Sequence, residues 1–364
     1  MSLTIETVQH TLQQIIDPNT GKDFASSRSV KNLKIQDSQV SLTIELGYPA
    51  KSQFSAIQAL VENALKTLPG CLRVEVTVTS KIVAHTVQRG IKLLPNIKNV
   101  IAIGSGKGGV GKSTTAANLA LALAQEGARV GILDADIYGP SQPQMLGLSD
   151  AHPESADGKT MNPLEAFGIQ VMSIGFLVEA DTPMIWRGPM VMQALQQLIN
   201  DTNWDDLDYL IVDLPPGTGD TQLTLAQKVP VTGAIIVTTP QDIALLDARK
   251  GLKMFEKVDI PILGIIENMS IHICSNCGHA EHIFGEGGGQ KMGEDFGAEL
   301  LGSLPLELSI RQLADSGNPT VVGAPDSKAA DIYRTIARRI AIKISEKSRD
   351  MRDRFPNVVV ESKP

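Results

Sequence analysis

The chain has 364 residues, of which 42% are hydrophobic, so it is long enough to form two domains with buried cores. Its formal net charge is −7, and it has no basic stripe interleaved with aromatic residues, so we expect no nucleic acid among its partners. No apolar run approaches the length of a membrane span, the first residues do not resemble a signal peptide, and three cysteines do not make a disulfide framework. We therefore expect a cytoplasmic protein that does not bind a membrane.

Residues 1–82 predict a small α/β domain. Apolar periodicity predicts two helices and strict alternation predicts three strands; the helices are predicted over 3–16 and 52–68, and the strands over 28–35, 39–46 and 73–79. Residues 83–96 lack a clear period and end at Pro95-Asn96, so we interpret them as a linker.

From residue 97 onward, strand and helix patterns alternate. Strands are predicted over 98–104, 129–134, 208–213, 233–238 and 260–266, and helices over 112–126, 189–201, 220–228, 243–256 and 327–348. The segments 209–212 and 234–237 are continuously apolar, as is typical of parallel strands that are covered on both faces. Residues 97–348 therefore predict a doubly wound, mainly parallel α/β sheet, and residues 349–364 a charged tail.

A phosphate-binding loop follows the first strand of this sheet, where residues 106–114 read Gly-Lys-Gly-Gly-Val-Gly-Lys-Ser-Thr. The glycines let the backbone turn sharply and direct its N–H groups at phosphate oxygens. Lys112 supplies a positive charge for the β- and γ-phosphates, and the Ser113 hydroxyl is a ligand for Mg²⁺. The nucleotide ligands predicted in the loop are Gly106, Gly108, Gly109, Val110, Gly111, Lys112, Ser113 and Thr114.

Two aspartate segments follow the loop, each at the predicted end of a strand. Acidic side chains at the carboxyl ends of parallel strands face the ligand crevice of a doubly wound sheet. Asp213 fits the role of holding Mg²⁺, and Gly217 lets the backbone approach the γ-phosphate. Asp136 is predicted to orient or deprotonate the attacking water, and Asp134 to support the Mg²⁺ shell.

A cluster of cysteine and histidine residues lies between positions 272 and 282. Cys274 and Cys277 have the spacing at which two thiolates hold one metal ion or part of an iron–sulfur cluster. The residues alone leave four interpretations open. They are a zinc site completed by His279 and His282, a redox disulfide, one cluster shared by the four cysteines of two chains, and a structural role without metal.

Seven segments carry a resemblance to a known family; they are 104–114, 134–141, 186–189, 213–220, 267–270, 274–278 and 283–289. Together they resemble the Mrp/Nbp35 (ApbC-type) family of iron–sulfur cluster carrier P-loop ATPases. Lys107 is typical of the deviant Walker A loop, which MinD, ParA and nitrogenase iron-protein relatives also have. The Cys-x-x-Cys segment and Asn268-Met-Ser together make the resemblance specific. The N-terminal domain resembles the MIP18-like (DUF59) domain, although Gly47-Tyr-Pro stands where a cysteine before proline is common, which argues against cluster chemistry there.

The resemblance implies a P-loop NTPase fold of the MinD/ParA type and a homodimer that hydrolyses ATP with Mg²⁺. Lys107 would reach across the dimer to the partner's nucleotide, and Asn268 would read the adenine. Cys274 and Cys277 would bind a [4Fe–4S] cluster at the dimer interface for transfer to apo iron–sulfur proteins. Two rival hypotheses are a MinD/ParA-like positioning ATPase and an ATPase in which a zinc ion is only structural.

Overall fold

A computed structural model describes residues 3–88, 91–177, 188–274 and 276–348 of the chain. Within these ranges, a small N-terminal sheet and a large central sheet are each packed against helices. None of the helices in the described ranges has the length and apolar character that a bilayer crossing requires. The predicted charged tail over 349–364 lies outside the described residues, as does Arg187 in one of the seven resembling segments.

The N-terminal unit contains all five elements that the sequence predicts. They are α1 (Ile5–Gln13), β1 (Val30–Gln36), β2 (Gln39–Leu46), α2 (Phe54–Lys66) and β3 (Arg73–Ser80). β1 pairs with β2 in antiparallel fashion, and β2 pairs with β3 in parallel. Helix α1 is shorter than predicted because the Thr4 side chain caps its first turn and because Ile16 forms a bridge with Asp23 instead of continuing the helix.

The larger unit contains the remaining elements. Its strands are β4 (Ile97–Gly104), β5 (Val130–Asp134), β6 (Leu164–Ala166), β7 (Ile169–Ser173), β8 (Leu207–Asp213), β9 (Gly233–Thr238), β10 (Ile262–Glu267), β11 (His272–Ile273), β12 (Ala280–Glu281) and β13 (Leu300–Ser303). Its helices are α3 (Lys112–Gln125), α4 (Gln142–Met145), α5 (Gly188–Asn200), α6 (Asp220–Lys228), α7 (Asp242–Lys257), α8 (Gly288–Phe296), α9 (Leu308–Asp315), α10 (Thr320–Gly323) and α11 (Lys328–Ser345).

The central sheet of the described residues has eight strands in the order β13-β10-β9-β4-β8-β5-β7-β6, and only the pair β6–β7 is antiparallel. This confirms the predicted doubly wound, mainly parallel α/β fold. β8 and β9 are buried at every position, as their continuous apolar runs indicate. The elements without a prediction are short; they are β6, β7, β11, β12, β13, α4, α8, α9 and α10.

The N-terminal unit is attached to the far end of α3, the helix that begins at the predicted phosphate-binding loop. Glu126 follows α3 and is 1% exposed. Its carboxylate accepts hydrogen bonds from the backbone N–H of Ser52 at 3.0 Å and the Ser52 hydroxyl at 2.7 Å. Arg338 of α11 donates to the same carboxylate at 2.5 Å. One buried carboxylate therefore joins the end of α3, α11 and the turn at Ser52 that precedes the N-terminal helix α2.

The segment predicted as a linker packs along the larger unit. The Gln88 side-chain amide donates to the backbone carbonyls of Ala226 and Val229 at 2.9 and 3.0 Å. The backbone N–H of Thr86 donates to the carbonyl of Ser348 at 3.0 Å. These bonds hold the segment on the chain's last described residues and on the end of α6.

We expect Arg338→Ala to lower the free energy of unfolding by about 3 kcal/mol, because it leaves the Glu126 charge buried without its ionic partner. Chemical denaturation of the full chain measures this loss. Lys22→Ala is the matched control, since the Lys22–Glu346 ion pair joins the same two regions but its side chains are 58% and 44% exposed. That control should cost less than about 1 kcal/mol. Equal effects of the two variants would contradict the assigned role of Glu126.

Candidate functional site

The loop between β4 and α3 has a backbone that only glycine accommodates at several positions. Gly109 and Gly111 have φ angles of +83° and +80°, in the left-handed region that glycine favours. A Cβ atom at Gly106 would lie 2.1 Å from the backbone carbonyl carbon of Asp247 in α7. The glycine pattern therefore serves both the turn and the close approach of α7 to the loop. Gly108 is exposed at the surface of the loop.

Sheet register brings the predicted acidic residues to the same edge as the loop. Asp134 at the end of β5 pairs directly with Asp213 at the end of β8, and Ile103 of β4 pairs with Asp213 on the other side. The loop begins immediately after β4, so it lies beside both carboxylates. The structure thus brings these predicted residues together at the carboxyl edge of the sheet, where doubly wound folds bind ligands.

Lys112 and Asp213 form a buried ion pair at the centre of this edge. The Lys112 ammonium donates to the Asp213 carboxylate and, at 3.2 Å, to the Ser113 hydroxyl. The two side chains of the pair are only 6% and 0% exposed. The other carboxylate oxygen of Asp213 accepts a hydrogen bond at 3.0 Å from the side-chain amide of Gln142. Each charge of this pair therefore has a partner within the chain.

Asp134 holds the loop that follows β5. Its carboxylate accepts hydrogen bonds from the backbone N–H groups of Asp136, Ser141 and Gln142 at 3.2, 2.9 and 3.0 Å. The Ser173 hydroxyl of β7 also donates to it, at 3.1 Å. Burial, and then the neighbouring Asp213 charge, raises the pKa of Asp134 to about 7. Its oxygens are thus engaged in positioning the segment that carries Asp136.

Asp136 lies in that segment and is 8% exposed. The pKa of its carboxyl group is raised above the ordinary value, mainly because the group is buried. The nearby Lys112 charge opposes this shift of the pKa, and the Asp213 charge adds to it. All three charged groups therefore lie close enough to influence one another at one end of the sheet.

The other predicted nucleotide residues border the loop. Gly217 has a φ of +98° and donates its N–H to the carbonyl of Ser105 at 3.0 Å. The Asn268 side chain donates to the carbonyl of Val110 at 2.9 Å, which places its amide against the end of the loop. Ser113 and Thr114 are half-buried at the start of α3. The Lys107 side chain is half-buried, and its ammonium has no ion pair among the described residues.

Cys274 and Cys277 lie at the tip of the small hairpin formed by β11 and β12. The N–H of Cys274 donates to the carbonyl of His279 at 2.9 Å, and the N–H of Gly278 donates to the carbonyl of Cys274 at 2.8 Å. Both thiols are free; Cys274 is half-buried and Cys277 is exposed. A hydrogen bond from the backbone N–H of Cys277 lowers the pKa of the Cys274 thiol. The lower pKa favours the thiolate, which is the form that binds metal.

Two of the three histidines of this segment, His272 and His282, place their Nδ1 atoms against backbone carbonyls. Nδ1 of His272 is 3.0 Å from the carbonyl of Leu306, and Nδ1 of His282 is 2.7 Å from the carbonyl of Ser270. In the part of the chain that the structure describes, no three His, Cys, Asp or Glu side chains are grouped so that they could hold a metal ion. The described residues therefore do not form the zinc site in which His279 and His282 would complete the coordination by Cys274 and Cys277.

Sequence reasoning missed Gln142 and Ser173, which contact Asp213 and Asp134. One feature of the sequence could have pointed to Gln142: it is a polar residue directly before Pro143, in the segment that follows β5. Ser173 ends a short strand that carried no clear pattern. Both contacts depend on how segments that are distant in the sequence meet in the folded chain.

Two family models match the chain. The model described as NUBPL iron-transfer P-loop NTPase matches residues 96–341, and the model described as iron-sulfur cluster assembly protein matches residues 5–78. The iron-sulfur cluster carrier protein of Salmonella typhimurium is 48% identical over 337 residues, covering 93% of this chain and 91% of that protein. The protein of the same name from Pseudomonas fragi is 60% identical over 279 residues, covering 76% of this chain and 97% of that protein.

Two solved structures are similar to this chain in fold. A nucleotide-binding protein from Archaeoglobus fulgidus, in complex with ADP, is 38% identical and superposes with a TM-score of 0.55, covering 61% of this chain and 87% of that chain. The cell division ATPase MinD of Pyrococcus furiosus is 24% identical with a TM-score of 0.52, covering 66% and 98%, and shows that the fold is shared. The resemblance read from the sequence is thereby confirmed, and the chain belongs to the NUBPL iron-transfer family of P-loop NTPases.

Proposed function

We propose that this chain is a cytoplasmic, homodimeric ATPase that carries a [4Fe–4S] cluster and delivers it to apo iron–sulfur proteins. Cys274 and Cys277 of both protomers would hold the cluster, and the loop around Lys112 would hold ATP. Membership of an iron-transfer NTPase family supports the proposal, as do the relatives named iron-sulfur cluster carrier protein and the ADP in the Archaeoglobus structure.

The observation that carries the proposal is the short structural connection between the phosphate-binding loop and the hairpin that carries Cys274 and Cys277. Asn268, whose amide bonds to the loop at Val110, is separated from β11 by only three residues. The same stretch is fastened to the segment after β13, through bonds from Ser270 N–H to the Leu304 carbonyl at 3.0 Å and from Leu306 N–H to the Ile271 carbonyl at 2.8 Å. A change at the loop can therefore reach the hairpin through few intervening residues.

In the proposed cycle, Lys112 exchanges the Asp213 carboxylate for the β- and γ-phosphates of ATP. Lys107, whose ammonium has no ion pair among the described residues, would reach the nucleotide of the partner protomer. The residues also fit a magnesium ion: Ser113 and Asp213 supply oxygen ligands, and a buried carbonyl oxygen of Gln142 has no partner among the described residues. When bound, Mg²⁺ neutralises charge on the phosphate oxygens.

The chain would divide into a MIP18-like domain over 1–82, a linker over 83–96, the ATPase domain over 97–348 and a charged tail over 349–364. The two family matches, over 5–78 and 96–341, support this division. The N-terminal domain carries Cys71 alone of the three cysteines, so cluster binding is assigned to the ATPase domain.

Anaerobic reconstitution with iron and sulfide, followed by incubation with an apo-enzyme that needs a [4Fe–4S] cluster, tests the proposal. We expect a brown protein with the broad visible absorbance of such clusters, and recovery of the recipient's activity. A colourless, zinc-loaded protein would support the structural-zinc hypothesis instead. An ATPase that binds neither cluster nor zinc would favour the positioning ATPase whose fold this chain shares.

We expect Asp136→Asn to slow ATP hydrolysis at least about 100-fold while changing ATP affinity far less, because a carboxylate that orients or deprotonates water acts mainly in the transition state. Turnover and equilibrium nucleotide binding measure the two effects. Asp150→Asn, at an exposed position after α4, is the matched control and should change neither. A loss of affinity in proportion to rate would mean that Asp136 serves the metal or the fold.

A further inference from the structure

Gln142 is a fully buried polar residue at the start of α4. Its side-chain nitrogen donates to the Asp213 carboxylate at 3.0 Å and to the backbone carbonyl of Ser113 at 3.1 Å. Its backbone N–H donates to Asp134 at 3.0 Å. The residue is thus held by the ends of β5 and β8 and by the first turn of α3, and both hydrogens of its amide are used.

The carbonyl oxygen of the same side chain, Oε1, is buried and has no hydrogen-bond partner among the described residues. A buried acceptor without a donor costs free energy, so such atoms in native proteins usually have a partner that is absent from the polypeptide. The atom belongs to the side chain that contacts both Asp213 and the backbone of Ser113, the two residues proposed to hold magnesium.

The orientation of this amide is fixed by its neighbours. Exchanging its oxygen and nitrogen would place a carbonyl oxygen against the Asp213 carboxylate and against the Ser113 carbonyl, and neither of these groups can donate a hydrogen bond. Oε1 therefore stays free of both contacts and remains available as an acceptor. A hydrated Mg²⁺ ion offers a matching donor, since it keeps several bound waters whose hydrogens point away from the metal.

We propose that Gln142 is a positioning residue for the magnesium–nucleotide complex: its Nε2 keeps Asp213 oriented, and its Oε1 accepts a hydrogen bond from a water bound to Mg²⁺. The inference rests on the proposed nucleotide site. Asp213 would lose the Lys112 contact when that lysine turns to the phosphates, whereas the bond from Gln142 to Asp213 does not depend on Lys112. Gln142 then remains as the group that fixes the carboxylate.

The test compares Gln142→Met with the wild-type full chain. Methionine has a similar length and no amide, so packing is largely kept while both polar contacts are lost. A fluorescent, non-hydrolysable ATP analogue is titrated at increasing Mg²⁺ and, separately, in excess chelator. We expect the Mg²⁺ concentration for half-maximal effect to rise about tenfold or more, as is usual when a group that orients a metal ligand is removed. Affinity in chelator should change less than about twofold, since the loop itself is intact.

Gln144→Met is the matched control, because Gln144 lies in the same short helix but is exposed, and its titrations should match the wild type. An unchanged Mg²⁺ requirement in Gln142→Met would overturn the inference. An equal loss of binding with and without Mg²⁺, including loss through unfolding, would also overturn it and would assign Gln142 to the fold. If the wild type fails to bind the analogue under either condition, the proposed nucleotide site is wrong and the inference falls with it.

Discussion

Lys112→Ala should abolish nucleotide binding, with an expected loss of affinity of at least about 100-fold. The variant removes the charge that is proposed to face the phosphates, and a hydrogen bond to a charged group contributes about 1.5–3 kcal/mol. It also leaves the fully buried Asp213 without its ionic partner, so that the negative charge of Asp213 is no longer compensated where the phosphates are proposed to bind. Titration of the full chain with a fluorescent ATP analogue measures the loss.

Lys98→Ala provides a matched control for this experiment. Lys98 and Asp208 form an ion pair between the same two strands, β4 and β8, but at the opposite edge of the sheet from the loop. Its removal should lower stability and leave nucleotide affinity unchanged. If Lys98→Ala weakens nucleotide binding as much as Lys112→Ala does, the effect comes from damage to the sheet. Unchanged ATP turnover in Lys112→Ala would show that the site lies elsewhere.

Alanine at either Cys274 or Cys277 should remove most of the iron that the reconstituted protein holds. One chain supplies two neighbouring cysteines, and a cubane cluster takes four cysteine ligands, so the proposed cluster would be shared by two chains. Wild-type protein should then contain about two irons per chain, which iron analysis and the molar mass in solution measure together. Both variants should also weaken the cluster-bearing dimer.

Cys71→Ala is the control for these two variants. Cys71 lies in the N-terminal unit, where its thiol is 3.6 Å from the carbonyl of Arg73, and no role in the cluster is assigned to it. Iron content should therefore stay at the wild-type value. About four irons on a stable monomer would contradict the shared cluster, and would require ligands from within one chain, such as His279 or His282.

The sequence predicted the parts of the fold whose signals are local. Strands β8 and β9 were predictable because parallel strands that are covered on both faces consist of continuous apolar residues. The loop was predictable because its glycines and Lys112 have fixed spacing for phosphate binding. Strand β13 was not predictable, since its four residues become a strand only by pairing with β10.

In the candidate site, the position of single residues was predictable from their own segments, whereas their contacts with distant segments were not. Asp213 could be placed at a strand end from its own segment, but its contact with Gln142 arises because the segment after β5 folds back over the end of β8. The Cys274–Cys277 pair was visible as a motif in the sequence. The two strands that flank it, β11 and β12, have two residues each and are strands only because they pair with one another. Contacts between distant segments depend on packing, and a single sequence carries no local signal for them.

Helix α3 connects the predicted phosphate-binding loop with the N-terminal unit. It is one uninterrupted helix of 14 residues, about 21 Å long, with the phosphate loop at one end and Glu126 at the other. A tilt of about 5° around the loop would carry the Glu126 end through about 2 Å, enough to strain hydrogen bonds of ordinary length. Any such tilt would therefore disturb the hydrogen bonds that Glu126 makes with Ser52 and Arg338. Helix α3 thus ties the position of the predicted phosphate-binding loop to the attachment of the N-terminal unit.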